Sequence, residues 1–259
     1  MRRMIRDDAT FEAVLRDGWA LLPPLDAPAL RDLRALSAES AAALARHARS
    51  SDVGFDELWG NPDLAYRTEI QARLAAVLSP FLALCFAGAR AVLYNLLVKR
   101  ARAPRSAVPF HQDYAMIDER GGDTALQLWI PLVDVTPENG ALILVGGTHR
   151  DAPAMRPLDT RHPLARHPVT TLPSGAVQPR LPAGSGVVLT NRTAHASTPN
   201  AAGEDRPAVG CVLVPADAPL VHWVARGGRM EMWGLRDEDL LALRPGELPP
   251  GARLLETVT

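Results

Sequence analysis

The chain is nearly without lysine: Lys99 stands alone among 28 basic residues, the rest being arginines, a skew that fits a GC-rich coding bias. Cysteine is scarce as well. Cys85 and Cys211 each lie in an apolar run and read as small buried hydrophobes of a reduced protein. A formal net charge of -1 gives no electrostatic footprint for nucleic acid or for an anionic membrane. No basic cluster is arranged for the phosphates of an acyl-CoA. No apolar run approaches the roughly 20 residues of a membrane span. The basic start, Met1 to Arg6, leads into Asp7-Asp8 with no apolar segment of a signal peptide behind it. These absences predict a cytoplasmic, soluble chain with no nucleic-acid or membrane partner.

What is present is a core. Hydrophobic residues make up 47% of the 259, enough to exclude disorder as a class. The N-terminal part, about 8–88, has helical periodicity. Asp8 to Asp17 predicts a short helix stopped by Gly18, and Trp19 to Leu22 a short strand closed by Pro23-Pro24. Asp26 is a good N-cap for a long helix with Pro28 in its first turn, fraying near Arg49. Ser50 to Asn61 reads as a loop that could fold over a pocket. Asp63 to Phe86 reads as a second long helix, kinked or broken at Pro80.

From about residue 90 to 226 the period changes to alternation. Strands are expected at Val92 to Lys99, Ala107 to Phe110, Ala125 to Asp134, Ala141 to Val145, Gly186 to Thr190, Val209 to Pro215 and Leu220 to Ala225. Short strands with Gly/Pro-rich turns predict a closed or double-sheet β-fold with flanking helices rather than alternating strand and helix. The proline-rich stretch 151–178 lacks periodicity and reads as a lid or binding loop. The tail, 227–259, is expected to hold a short helix at Asp237 to Leu243 and then fray. A single domain, 1–259, is the expected organisation.

The chemistry concentrates between Pro109 and Arg206. On an extended segment, residues two apart point the same way, so His111 and Asp113 can reach one metal. His195, after a strand and a turn, could deliver a third ligand from the opposite sheet. Two His and one carboxylate occupy one face of an octahedral ion and leave positions open for substrate and O2. Arg206 opens the next strand, where a fixed guanidinium can hold a carboxylate bidentately, and Ser197 faces the same way as His195. Trp129 and Gln127 share a strand face, opposite the apolar Leu126, Leu128, Ile130 and Leu132. Asn95 and Lys99 share another. Gln127, Lys99 and Tyr114 are the candidate substrate contacts. His149 is expected to anchor a turn, while His162 and His167 are expected to be solvated in the loop.

These residues, in this order, resemble the phytanoyl-CoA dioxygenase family of Fe(II)/2-oxoglutarate oxygenases. The resemblance runs through Phe110 to Asp113, Leu128 to Leu132, Thr136 to Leu142, Gly146 to Arg150, Gly184 to Gly186, His195, Arg206-Pro207 and Leu220 to Trp223. It implies a double-stranded β-helix (a jelly-roll, cupin-like core) with N-terminal helices packed on one side. It implies Fe(II) on His111, Asp113 and His195, and O2 as oxidant. It further implies that Arg206 and Ser197 bind the distal carboxylate of 2-oxoglutarate and that Trp129 lines the co-substrate pocket, with Asn95 as an extra polar contact.

The implied activity is oxidation of an unactivated C–H bond of a small molecule, most simply hydroxylation, with release of succinate and CO2. Related halogenases have a small residue at the carboxylate position, so Asp113 argues against halogenation. Desaturation or cyclisation would use the same site. Two readings from other classes stand beside it, a non-catalytic cupin-like binding protein and a Zn or Mn enzyme on the same barrel. A set of two His, one Asp and one Arg argues against the first, and the Arg206 anchor against the second. A specialised metabolite of a GC-rich bacterium fits as substrate, free or tethered to a carrier protein. The chain is expected to be a monomer or homodimer.

Overall fold

The structure, a computed structural model, describes residues 1–47, 53–158, 162–243 and 247–258. The end of the second helix near Arg49 and the start of the following loop lie outside these residues. Helix α1 (Asp8–Asp17) is capped by Asp7, whose carboxylate accepts from Thr10 N, and ends at Gly18 in the left-handed conformation. Strand β1 (Trp19–Pro24) follows, then α2 (Ala27–His47), where Asp26 Oδ1 accepts from Ala29 N at 2.7 Å as the cap predicts.

The expected loop contains a strand, β2 (Phe55–Glu57), because its backbone pairs with the far end of the next strand. Helix α3 (Leu64–Cys85) runs unbroken through Pro80. That ring lies on the exposed face, where water can answer the carbonyl it leaves free. At 22 residues α3 is long and apolar enough to cross a bilayer, contrary to the reading of the sequence. Here Ile70, Leu74, Leu78 and Phe81 pack it on the core instead.

The β-region comprises β3 (Ala89–Lys99), β4 (Val108–His111), β5 (Leu126–Pro131), β6 (Leu142–Val145), β7 (Ala176–Val177), β8 (Ser185–Thr190), β9 (His195–Ser197) and β10 (Arg206–Pro215). After these come β11 (Leu220–Arg226), β12 (Arg229–Leu235), α4 (Asp239–Ala242) and β13 (Arg253–Val258). A six-stranded antiparallel sheet has the order β1-β8-β5-β10-β3-β2, and a four-stranded one the order β4-β9-β6-β7. Alternation along β5 explains the layering. Leu126, Leu128 and Ile130 join Leu33, Leu36, Leu74 and Leu78 of the helices in one buried cluster. Trp129 faces the other way and meets Leu142 and Leu144 of the second sheet. This is a mainly β, jelly-roll core with N-terminal helices on one face, as expected.

The tail is more ordered than its sequence suggested. Strands β11, β12 and β13 form a third sheet, with β11 and β12 joined by Gly227-Gly228 at positive φ, the backbone a two-residue hairpin turn requires. His222 and Trp223 are buried, and Val221 N donates to Met116 O at 2.9 Å. The third sheet therefore buttresses the segment just after His111 and Asp113.

Candidate active site

His111 and His195 face each other on paired strands, β4 and β9, with ring centroids 4.1 Å apart. The third ligand therefore comes from the neighbouring strand of the same sheet rather than from the opposite sheet. His111 Nδ1 lies 2.9 Å from Pro109 O, and His195 Nδ1 lies 3.0 Å from Thr193 O. A backbone carbonyl can only accept, so each Nδ1 carries the proton and each Nε2 presents a lone pair. Asp113 follows on the segment leaving β4, with Oδ1 3.8 Å from His111 Nε2. One ligand atom from each of His111, Asp113 and His195 lies within 4.8 Å of the others. Burial, with His111 beside it, pushes the His195 imidazole down to about 4, so it is neutral and able to coordinate at ordinary pH.

These side chains open into a cavity of about 420 Å³ between the two large sheets, a size typical of small-molecule sites. Its lining includes Asn95, Tyr114, Gln127, Trp129, Ser197 and Arg206, all expected from the sequence. Arg206 is 2% exposed and stands over the Trp129 ring, 5.3 Å from its centroid. Its Nε and Nη1 are buried with no hydrogen-bond partner, and so is Asp113 Oδ2. Burial alone lowers the Arg206 guanidinium to about 10. An unanswered buried polar group costs on the order of 1–3 kcal/mol, more when charged. Such groups on both sides of one cavity fit a cation beside Asp113 and a carboxylate beside Arg206. The residues present therefore fit Fe(II) and 2-oxoglutarate.

Not every expected residue reaches the cavity. Lys99 pairs with Arg206 across β3 and β10 but does not line the space. It is fully buried, and its Nζ donates to Thr198 O. The turn at Gly140 covers it: a Cβ there would lie 2.7 Å from Lys99 Cδ, and the glycine has φ +97°. Asn95 Oδ1 accepts from Trp59 N at 3.3 Å, tying the lining to the segment after β2. His162 and His167 are half-buried rather than solvated: His162 lines a second cavity beside His111, and His167 sits edge-on to Phe110. His149 does anchor a turn, with Nε2 3.1 Å from Leu15 O.

Several lining residues carry no local signal. Trp59 stacks on Tyr114 with centroids 6.0 Å apart, and Leu93, Met116, Leu158 and Val212 form an apolar wall. Asn191 is buried at the cavity edge with Oδ1 unpartnered. The aromatic pair could have been suspected from Trp59 in an otherwise polar loop. The aliphatic wall could not, because those residues look like any other core.

Comparisons with known proteins agree with this fold. No curated protein matches the chain in sequence. Among solved structures, the α-ketoglutarate-dependent carbocyclase SnoK from nogalamycin biosynthesis is similar at TM-score 0.59 and 22% identity, over 97% of each chain. The epimerase SnoN in complex with Fe3+, α-ketoglutarate and nogalamycin RO is similar at TM-score 0.58 and 23% identity, covering 97% of this chain and 93% of that one. AviO1 from Streptomyces viridochromogenes Tue57 is similar at TM-score 0.54 and 26% identity, covering 82% of this chain and 96% of that one. The family description phytanoyl-CoA dioxygenase (PhyH) matches residues 14–208, and with the fold and site above it shows that the chain belongs to this family of Fe/2-oxoglutarate-dependent enzymes.

Proposed function

We propose that the chain is an Fe(II)/2-oxoglutarate-dependent dioxygenase that hydroxylates an unactivated C–H bond of a small molecule in bacterial specialised metabolism. The observation that carries this reading is one cavity with two unanswered poles: a three-ligand cluster on one wall and a buried, unpartnered guanidinium on another. His111, Asp113 and His195 would hold Fe(II). Arg206 would hold the distal carboxylate of 2-oxoglutarate, with Ser197 beside it and Trp129 beneath the guanidinium. When bound, iron and 2-oxoglutarate with O2 supply the oxidising chemistry, leaving succinate and CO2.

The protein's own part is positioning. Nδ1–H contacts from both histidines to backbone carbonyls fix the ring planes. Trp59, Tyr114, Leu93 and Met116 would exclude water and orient an apolar part of the substrate, while Asn95, Gln127 and Asn191 would offer polar contacts. The helices, the two large sheets and the third sheet would act as one domain, 1–259, because α3 and the tail both buttress the cavity walls. Cyclisation or epimerisation is a second outcome for the same site, supported by the names of SnoK and SnoN.

The test is an anaerobic titration of the apo-protein with Fe(II) and then 2-oxoglutarate, followed by the weak visible charge-transfer band of the chelate. The band is the expected result. Iron binding without the band would remove Arg206 as the anchor. No iron binding would end the oxygenase reading.

A further inference from the structure

A buried ion pair outside the cavity lies directly behind Asp113. Arg156 and Glu119 side chains are both fully buried, and Arg156 Nη1 and Nη2 donate to Glu119 Oε2 and Oε1 at 2.6 and 3.0 Å. Thr124 Oγ1 donates to Glu119 Oε1 at 2.6 Å, fixing the carboxylate from another side. The guanidinium is a rigid fork, so once Glu119 holds two of its edges the direction of Nε is settled. That Nε donates to the backbone carbonyl of Asp113 at 2.8 Å. The carbonyl of Arg156 accepts from Ala115 N at 3.0 Å, so the short segment bearing Asp113 is gripped on both sides of Tyr114.

Asp113 needs this grip more than the histidines do. Each histidine has its own Nδ1 contact to a carbonyl, whereas Asp113 Oδ2 has no hydrogen-bond partner. Its orientation therefore falls to the backbone that carries it. Fastening a loop with a buried charge pair is also an expensive choice, since apolar packing serves as well wherever direction does not matter. Here direction matters. Arg156 also belongs to the long stretch after His149, and the carbonyl of Ala152, four residues before it, accepts from Arg192 Nη2 at 2.6 Å, so the start of that stretch is fixed as well.

We propose that Arg156, held by Glu119, is the positioning residue for Asp113: it sets the backbone that aims this carboxylate at the metal. The proposal rests on the reading of His111, Asp113 and His195 as the iron ligands. It is tested on the full chain, as the parent protein, Arg156→Lys, and the double variant Glu119→Gln/Arg156→Met. The double variant removes both charges together and leaves neither buried alone. Each apo-protein is titrated anaerobically with Fe(II), then with 2-oxoglutarate, and its cooperative melting is recorded.

The expected result is a folded double variant with iron affinity lowered about 10- to 100-fold and an altered chelate band. Arg156→Lys, which restores a charge opposite Glu119 but not the planar Nε contact, stays as weak as the double variant. A folded double variant with the parent's iron affinity and band overturns the proposal, and so does full rescue by lysine, which would make the pair a simple clamp. Should the double variant fail to fold, Arg156→Lys alone decides between these outcomes. A parent protein that binds no iron instead overturns the oxygenase reading, a result distinct from either.

Discussion

The two ends of the cavity are built on different terms. At the ligand end, His111 and His195 stand on short strands of the smaller sheet and are oriented by backbone carbonyls. Each Nδ1 there has a carbonyl partner, while Asp113 Oδ2 is left without one. At the other end Arg206 stands on a long central strand of the larger sheet, buried, with Lys99 paired beside it outside the lining and, among the described residues, no ion pair to either. One end is organised by hydrogen bonds. The other leaves the buried Arg206 Nε and Nη1 unanswered, which fits an anion there. The contrast shows how a single fold can prepare a site for a cation and a site for an anion within one cavity: stiffness comes from the backbone on one side and from the sheet interior on the other.

Three substitutions would break or sharpen that contrast. The largest effect is expected from Asp113→Ala, which removes the only carboxylate of the ligand cluster; turnover of 2-oxoglutarate to succinate should be abolished while the melting temperature holds. A fully active variant would refute the cluster. Next is Arg206→Leu. Losing a charge-assisted contact of about 1.5–3 kcal/mol should raise the 2-oxoglutarate requirement roughly 10- to 150-fold. Because the guanidinium is buried without partners for Nε and Nη1, the same change should leave stability equal or higher, which thermal unfolding would check. Unchanged co-substrate affinity would move the anchor elsewhere.

The smallest effect concerns Lys99. Burial, with Arg206 beside it, pulls its ammonium from 10.5 down to about 6. Between these values the unfolded chain binds more protons than the folded one, so stability rises with pH across that window. Lys99→Met should therefore stabilise the apo-protein by about 1–4 kcal/mol. The gain should be largest below pH 6, shrink steadily above it, and vanish as pH approaches 10.5. Urea unfolding at several pH values reads this directly, and a pH-independent difference would mean that the lysine is not a buried charge.

What the sequence made legible and what it hid divide along one physical line. Features set by neighbours in the chain were readable: the cap at Asp26, the alternation from Leu126 to Leu132, and the shared direction of His111 and Asp113. Features set by pairing across the chain were not. Phe55 to Glu57 is polar and short, and becomes a strand only because Leu97 to Lys99 lies beside it. Met230 to Trp233 pairs with β13 on one side and β11 on the other, and of these only β11 was expected from the sequence. The Gly227-Gly228 turn was a readable hairpin signal that went unused. Lys99 was read correctly as sharing a strand face with Asn95, but the covering turn at Gly140 comes from a distant part of the chain. The candidate ligands and Arg206 were legible because their chemistry is unusual, whereas the aliphatic wall of the cavity was not, because aliphatic residues are common everywhere in a core.

The pairing of His111 with His195 carries a consequence for how the protein matures. The two ligands are joined only when β4 and β9 find each other in the correct register, and a slip of one residue would turn either imidazole to the wrong face. Contacts between such distant segments form late, after loop-closure entropy has been overcome. A nascent chain that has not yet emerged as far as His195 cannot hold the ion between these strands. With His111 and His195 as ligands, metal capture at this site would require the β4–β9 pairing to be in place.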